Sequence, residues 1–168
     1  METGRKLASV FSNAIFRSGN VTGTDEAFTK GVYEIDPARM EIVVPTESMG
    51  RKRRNENAYV VSFNQVSVVE EEQALYEAKQ ASPKNAYLVD SYASGLKNEF
   101  SAKALYVRRD VIEITGSAKM KLKKADIGLF YVDPEDPMKG GTGHTLRLCE
   151  KHNVPVITQI EWMKWMIS

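Results

Sequence analysis

A glycine-rich turn in the run Lys139–Thr145 constrains the fold of this chain more than any other feature. Three glycines fall within four residues, after the apolar, strand-like run Ile127–Val132 and before a helix-like segment that begins near Thr142. Glycine lets the backbone approach a ligand closely, and a helix start offers free N–H groups to an anion. The spacing matches neither the dinucleotide fingerprint nor the P-loop, because His144 and Thr145 follow the last glycine. The pattern predicts a phosphate-binding turn, with an ordinary tight turn as the alternative.

A second turn of similar chemistry lies near the start of the chain. A short apolar run leads into Ser18 and Gly19, and Thr24 and Asp25 then open a helix-like segment. In a functional interpretation Ser18, Asn20 and the free N–H groups bind a ligand, and Asp25 accepts a hydrogen bond from a ribose hydroxyl. In the alternative interpretation Thr24 or Asp25 is only the helix N-cap, and for Asp25 alone we favour the cap.

Composition predicts one globular domain over residues 1–168, with 42% apolar and 27% charged residues. A net charge of +1 argues against a dedicated nucleic-acid surface. We expect a cytoplasmic protein, because a bilayer-spanning stretch of ~20 apolar residues and a signal-peptide pattern are both missing. The single cysteine, Cys149, fits a reducing compartment and falls on the apolar face of the helix after the glycine turn, which favours a buried thiol. His144 and His152 lack partners at ligand spacing, so we expect no structural metal.

Strand-like and helix-like segments alternate along the chain. The predicted strands are 14–18, Met40–Val44, Ile127–Val132 and Val154–Ile157, with Tyr59–Val69 either an extra strand or an irregular loop. The predicted helices lie at Leu7–Phe11, 24–33, Glu70–Ala81, Ala102–Thr115, Lys119–Lys124 (one turn, lysines towards water), from Thr142, and at Trp162–Met166. The predicted loops are Thr46–Asn57 and Pro83–Asn98, the second with a short helix and in a position to cover a site. This alternation predicts an α/β fold, a Rossmann-like sandwich with a mainly parallel central sheet flanked by helices. A ligand would then lie outside the carboxyl ends of the strands.

The order of these motifs resembles the SLOG superfamily, which unites the DNA-processing protein A (Smf) proteins with the "lonely guy" nucleotide phosphoribohydrolases. The resemblance rests on Arg17–Gly31, Met40–Pro45, Arg108–Ile114 and Ala125–Ile157. The pattern is similar to small stand-alone members from bacteria and their phages. The resemblance implies a modified Rossmann fold that binds nucleotide phosphate and ribose at the Gly-Gly-x-Gly turn.

Two positions depart from the phosphoribohydrolase branch that the chain resembles. In that branch an Arg before the strand, which Arg108 or Arg109 would match, acts with a Glu four positions after the last glycine to hydrolyse an N-glycosidic bond. Arg147 occupies that Glu position, and His144 replaces the usual Thr. Arg147 therefore predicts an added phosphate contact, with exposure to solvent or an ion pair as the alternative. His144 either contacts phosphate or caps the helix.

The expected function is binding of a nucleotide or a nucleotide-derived ligand such as an ADP-ribose signal, which the protein senses or sequesters. One alternative is an N-glycosidase that uses a carboxylate among Asp25, Glu26, Glu113 and Glu150. A further alternative is a single-strand DNA binder that uses basic residues and exposed tyrosines, although we interpret the basic run Arg51–Arg54 as a solvated face. The sequence leaves catalysis open.

We expect no cofactor, no membrane partner and, as one option, a homo-oligomer. Apolar residues near the end of the chain could form its contact, although core packing explains them equally well: Met163, Trp165 and Met166. The predicted ligand-binding residues come from both turns and from the matched arginines. They are Ser18, Gly19, Asn20, Thr24, Asp25, Arg108, Arg109, Gly140, Gly141, Thr142, Gly143, His144, Thr145 and Arg147.

Overall fold

The chain folds into parallel strands flanked by helices, which confirms the predicted α/β class. The computed structural model describes residues 1–95 and 99–167. Its contacts divide the chain into two compact units. The first is Met1–Gln65 with the chain end from Trp165, and the second is Val66–Lys164. The expectation of a single domain stays a prediction.

The first unit holds a three-stranded parallel sheet in the order β1-β2-β3. Its helices and strands follow the chain in the order α1 Glu2–Val10, β1 Phe16–Ser18, α2 Thr24–Tyr33, β2 Met40–Val44 and β3 Tyr59–Ser62. Three short 3₁₀ turns lie at Pro37–Arg39, Arg51–Arg53 and Phe63–Gln65. The predictions for α2 and β2 are confirmed at both ends, and Tyr59–Val69 forms a strand only over its first four residues.

The core of the first unit lies around β2, the central strand. Ile42 and Val43 of β2 are fully buried, and so is Val32 of α2. A strand covered on both faces needs a continuous apolar run, and β2 supplies one. Arg17 of β1 and Glu41 of β2 lie opposite each other in the register, and their side chains form an ion pair at 2.6 Å. The buried run and this pair together fix the register of the two strands.

The second unit combines helices with a two-stranded parallel sheet of β4 and β5. Its elements are α3 Val68–Gln80, α4 Pro83–Ala93, α5 Glu99–Thr115, β4 Gly128–Phe130, α6 Gly140–Lys151, β5 Val156–Thr158 and the part of α7 Gln159–Ile167 that precedes Trp165. A capping box starts α3, because the Ser67 hydroxyl accepts from the Glu70 N–H while the Glu70 carboxylate accepts from the Ser67 N–H. Within the described ranges, none of the helices has the length and apolar character to cross a bilayer.

Two predictions for the second unit are wrong. The segment Pro83–Asn98 is mostly helix, because the Ser82 hydroxyl caps the helix start and Leu88 and Val89 give it a buried face; residues 96–98 lie outside the described residues. The lysine-rich segment Lys119–Lys124 is a tight turn instead of a helical one, closed by two backbone hydrogen bonds between Ser117 and Leu122. Its lysines do face water, as expected.

Helices α1 and α2 approach each other backbone to backbone, and glycines permit this contact. A Cβ added to Gly31 would lie 1.9 Å from the Met1 carbonyl oxygen and 2.7 Å from the Arg5 nitrogen. A Cβ added to Gly4 would lie 2.2 Å from the Phe28 carbonyl oxygen. Neither position has room for a methyl group, so both helices depend on glycine for their packing.

Replacing Gly31 with alanine should therefore destabilise the protein. Alanine favours a helix by about 1 kcal/mol over glycine, yet the collision with main-chain atoms should lower the free energy of unfolding by about 1–3 kcal/mol. Urea unfolding followed by circular dichroism measures the difference. The matched control is Gly141→Ala, since an added Cβ there meets none of the described atoms within 4 Å. Equal effects of the two substitutions would contradict the packing argument.

Candidate functional site

The first turn of α6 is open, and this is the feature that most favours a ligand there. Lys139 is the N-cap, and within the described residues no side chain caps this helix start. Gly140 adopts φ +62°, which favours glycine. An added Cβ on Gly140 or Gly141 would meet nothing within 4 Å among the described atoms. The helix begins at Gly140, two residues before the predicted start at Thr142, so both glycines belong to it.

Gly143 has a different role from the two glycines before it. An added Cβ there would lie 1.8 Å from the Met138 carbonyl oxygen and 2.1 Å from its carbon. The Gly143 N–H also donates to the Lys139 carbonyl, at 3.0 Å. Gly143 therefore lets the preceding loop pack onto the helix, and the open surface of the motif belongs to Gly140 and Gly141.

Arg147 lies one turn further along α6 and reaches back to the loop before it. Its Nη1 donates to the Met138 carbonyl at 3.3 Å, so the guanidinium sits beside the helix start. Its Nε is buried and has no hydrogen-bond partner in the part of the chain that the structure describes. Thr145 is also half-buried, and its hydroxyl donates to the Gly141 carbonyl at 3.1 Å. The phosphate contact expected of Arg147 stays a prediction.

His144 is a buried structural residue, and this corrects both interpretations of it. Its Nδ1 lies 2.8 Å from Asn85 Nδ2 and its Nε2 lies 2.8 Å from the Val107 carbonyl oxygen. An Nε2–H that donates to the carbonyl leaves Nδ1 to accept from the amide. Burial is the main cause that lowers the pKa of His144, and Asp110 opposes it. With both nitrogens occupied and 1% of the residue exposed, His144 neither caps α6 nor is available to a phosphate.

Arg108 and Arg109 are also committed within the helical part of the second unit. Arg108 donates to the Glu71 carboxylate at 3.0 Å and lies over the Tyr92 ring. Arg109 pairs with Asp110 at 3.1 Å and with Glu113 at 2.6 Å. Each arginine is 4% exposed. The expectation that they flank an open phosphate is therefore corrected, because both guanidinium groups are buried and already paired with carboxylates, which a phosphate would have to displace.

In the first unit, the turn between β1 and α2 is a network of short polar contacts. Ser18 Oγ accepts from the Asn20 N–H at 3.1 Å, Asn20 Nδ2 donates to the Gly50 carbonyl at 3.1 Å, and Gly19 is buried between them. The N-cap of α2 is Gly23, and none of the described side chains bonds to that helix start. The interpretation of Thr24 or Asp25 as the cap is therefore wrong, because α2 begins at Thr24 itself.

The carboxylates considered for catalysis are spread over the fold. Glu26 pairs with Lys30 at 2.7 Å, and Glu150 is exposed on α6. A buried carboxylate that was not considered, Glu77, accepts from His152 Nε2. In the described ranges, groups of three or more His, Cys, Asp or Glu suited to a metal are not found.

Asn85 and Arg53, like Glu77, are polar residues that no motif of the sequence singles out. Asn85 holds His144 from within a segment predicted to be mostly loop. Arg53 Nη2 donates to the Asn20 carbonyl at 2.9 Å, although the basic run that contains it predicts a solvated face. The Ser-Pro helix start at 82–83 is a signal that could have placed Asn85 on a helix.

Cys149 is buried, as its place on the apolar face of the helix predicts. It is fully buried in α6, and burial raises the pKa of the Cys149 thiol to about 11. The thiolate, which is the nucleophilic form, is therefore scarce at neutral pH.

Comparisons with protein-family models, with curated proteins and with solved structures gave no match. The resemblance to the SLOG superfamily thus rests on the motifs alone and stays a prediction. The function has to be argued from the geometry of the two turns, each within its own unit.

The buried imidazole of His144 should make stability depend on pH. In the unfolded chain His144 binds a proton near its usual pKa of 6.5. In the folded state the pKa of His144 is lower, so the imidazole is protonated only at lower pH. Since the unfolded state then holds more protons, this contribution to stability is full above about pH 7 and declines as pH falls through about 6.5. His144→Gln should lower the free energy of unfolding by about 1–3 kcal/mol at neutral pH and remove this part of the decline.

Urea unfolding at about pH 7.5 and about pH 5.5 measures both effects. The matched control is His152→Gln, which removes the other histidine of the chain and should keep the decline due to His144. A decline that persists unchanged in His144→Gln would contradict the assignment.

Proposed function

We propose that this protein binds a nucleotide or nucleotide-derived ligand through a phosphate at the first turn of α6. The observation that carries the proposal is the open, uncapped start of that helix at Gly140 and Gly141. Among the described residues, no side chain caps this helix start with a hydrogen bond.

Phosphate is the chemistry that this turn fits best. Gly143 is the first residue of this turn whose N–H donates to a preceding carbonyl, that of Lys139. The N–H groups of Gly140, Gly141 and Thr142 come before it, and the helix dipole adds positive potential there. The Arg147 guanidinium lies beside the same turn and offers a planar donor for phosphate oxygens. Because Gly140 and Gly141 lack side chains, phosphate oxygens can reach the main chain directly.

The nucleotide part of the proposal comes from the resemblance of the motifs to nucleotide-binding proteins. Sensing or sequestering fits the site better than turnover, because Arg147 stands where the resembled hydrolases carry a carboxylate. Glu113, one of the other carboxylate candidates, is bound to Arg109. We therefore propose binding, with conversion of the ligand as an outcome that the experiment can detect.

Self-association and a cytoplasmic location are further parts of this proposal. Met163 and Trp165 of α7 are 52% and 38% exposed, which is compatible with a contact between copies. The side chain of Met166 lies outside the described residues.

Substituting Gly141 with leucine should abolish ligand binding without unfolding the protein. The position is helical and open, so the side chain fits the fold but fills the space in front of the N–H groups. Mass spectrometry of a nucleotide panel that includes NAD and ADP-ribose, after incubation and again after heat release, first identifies the ligand. Titration calorimetry should then show affinity reduced by at least about tenfold in Gly141→Leu.

The matched control is Glu150→Leu, an equally bulky change at an exposed position near the other end of α6. It should bind like the unaltered protein. Retained affinity in Gly141→Leu would contradict the site. Recovery of free base and sugar phosphate, instead of the intact compound, would show an N-glycosidase.

A further inference from the structure

The basic run Arg51–Arg54 is built into the first unit and is not a uniformly solvated face. Arg54 donates to the carbonyls of Glu47 and Met49, which folds the segment after β2 back on itself. Arg53 donates from Nη2 to the Asn20 carbonyl, 2.9 Å away. Arg51, by contrast, is exposed. The loop after β2 thus places one guanidinium against the turn after β1.

Asn20 is the residue in this turn whose bonding is incomplete. It is 2% exposed and adopts φ +55°, a conformation that asparagine tolerates better than most residues. Its main-chain N–H and carbonyl and its side-chain Nδ2 all have partners. Its Oδ1 is buried without a hydrogen-bond partner in the described chain. A buried acceptor of this kind is costly unless a donor bonds to it, and a hydroxyl of a bound ligand is such a donor.

Arg53 also lies near the first turn of α2. Its charge, after a hydrogen bond and charge from Lys30, contributes to lowering the pKa of Glu26 in that turn. The helix start itself has Gly23 as its N-cap and no cap from the described side chains. Because Arg53 bonds to the Asn20 carbonyl, three residues before Gly23, a guanidinium and an uncapped helix start share this segment, and both attract an anion.

The topology of the sheet explains why these groups meet. β1 and β2 are parallel neighbours, so the loops that follow Ser18 and Val44 leave the same edge of the sheet. In open α/β sheets ligands bind outside this edge. The turn containing Asn20 and the loop containing Arg53 are those two loops.

We infer that the β1–α2 turn binds a sugar phosphate, with Arg53 holding the phosphate and Asn20 Oδ1 accepting from a sugar hydroxyl. The guanidinium and the helix start favour an anion, and a sugar hydroxyl would donate to the Oδ1 that lacks a partner. The class of ligand in this inference rests on the proposed nucleotide-binding function. The role of Arg53 goes beyond that function. It concerns the first unit alone.

The test is a titration of the ¹⁵N-labelled full chain with ribose 5-phosphate, followed residue by residue by NMR. We expect shifts at residues 18–25 and 50–53. Arg53→Gln should weaken binding at these residues by roughly tenfold or more, because it removes a charge-assisted contact. Arg51→Gln, the matched control in the same 3₁₀ turn, should bind like the unaltered protein. Arg53→Lys keeps the charge and should lose less affinity than Arg53→Gln, which separates loss of the contact from disturbance of the turn.

The outcomes separate this inference from the proposed function. Shifts confined to residues 140–147 would overturn the role of Arg53 and leave the α6 site standing. Shifts confined to residues 18–25 and 50–53 would support the inference and contradict the α6 site. If Arg51→Gln and Arg53→Gln weakened binding equally, the loss would reflect the net charge of the loop, and the inference would be overturned. An absence of shifts at both turns would also overturn it.

Discussion

Parallel pairing of β1, β2 and β3 is the constraint on which the first unit depends. Parallel neighbours send their following loops to the same edge, so residues distant in sequence must meet there. That edge brings the loop of Arg53 to the turn of Asn20. The buried run of β2 and the Arg17–Glu41 pair hold the register that makes this possible. A slip of one residue would reverse the faces of the strand and separate the two loops.

Glycine serves two opposite purposes in this chain. Gly31 and Gly143 are packed so closely against main-chain atoms that a Cβ would overlap with them. Gly140 and Gly141 face open space instead. Packing explains the first pair completely, whereas the second pair has no structural reason to lack a side chain, apart from the left-handed φ of Gly140. Gly141 is therefore the position where access for a ligand is the better explanation.

Sequence predicted the elements well where one pattern dominated. The apolar run Met40–Val44 predicts both ends of β2. The segment 24–33, with its acidic first turn, predicts both ends of α2. Prediction failed at Pro83–Asn98, where tyrosines and serines obscure a helix that tertiary contacts stabilise. It also failed for the side chains of His144 and Arg108, because a sequence motif cannot show which way a helical residue faces. The open main-chain start of α6 agrees with the predicted glycine turn, because glycine places no side chain over the N–H groups.

His144 and Asn20 are both buried, but they differ in how their polar side-chain atoms are bonded. His144 lay within the predicted phosphate motif, yet both of its nitrogens have partners and it is structural. Asn20 is nearly as buried, but its Oδ1 lacks a partner within the described chain. Folding alone would select against such an acceptor, because it loses hydration and gains no bond. Asn20 also adopts a left-handed conformation and is held by Arg53, and the proposed sugar hydroxyl would supply the donor that its Oδ1 lacks.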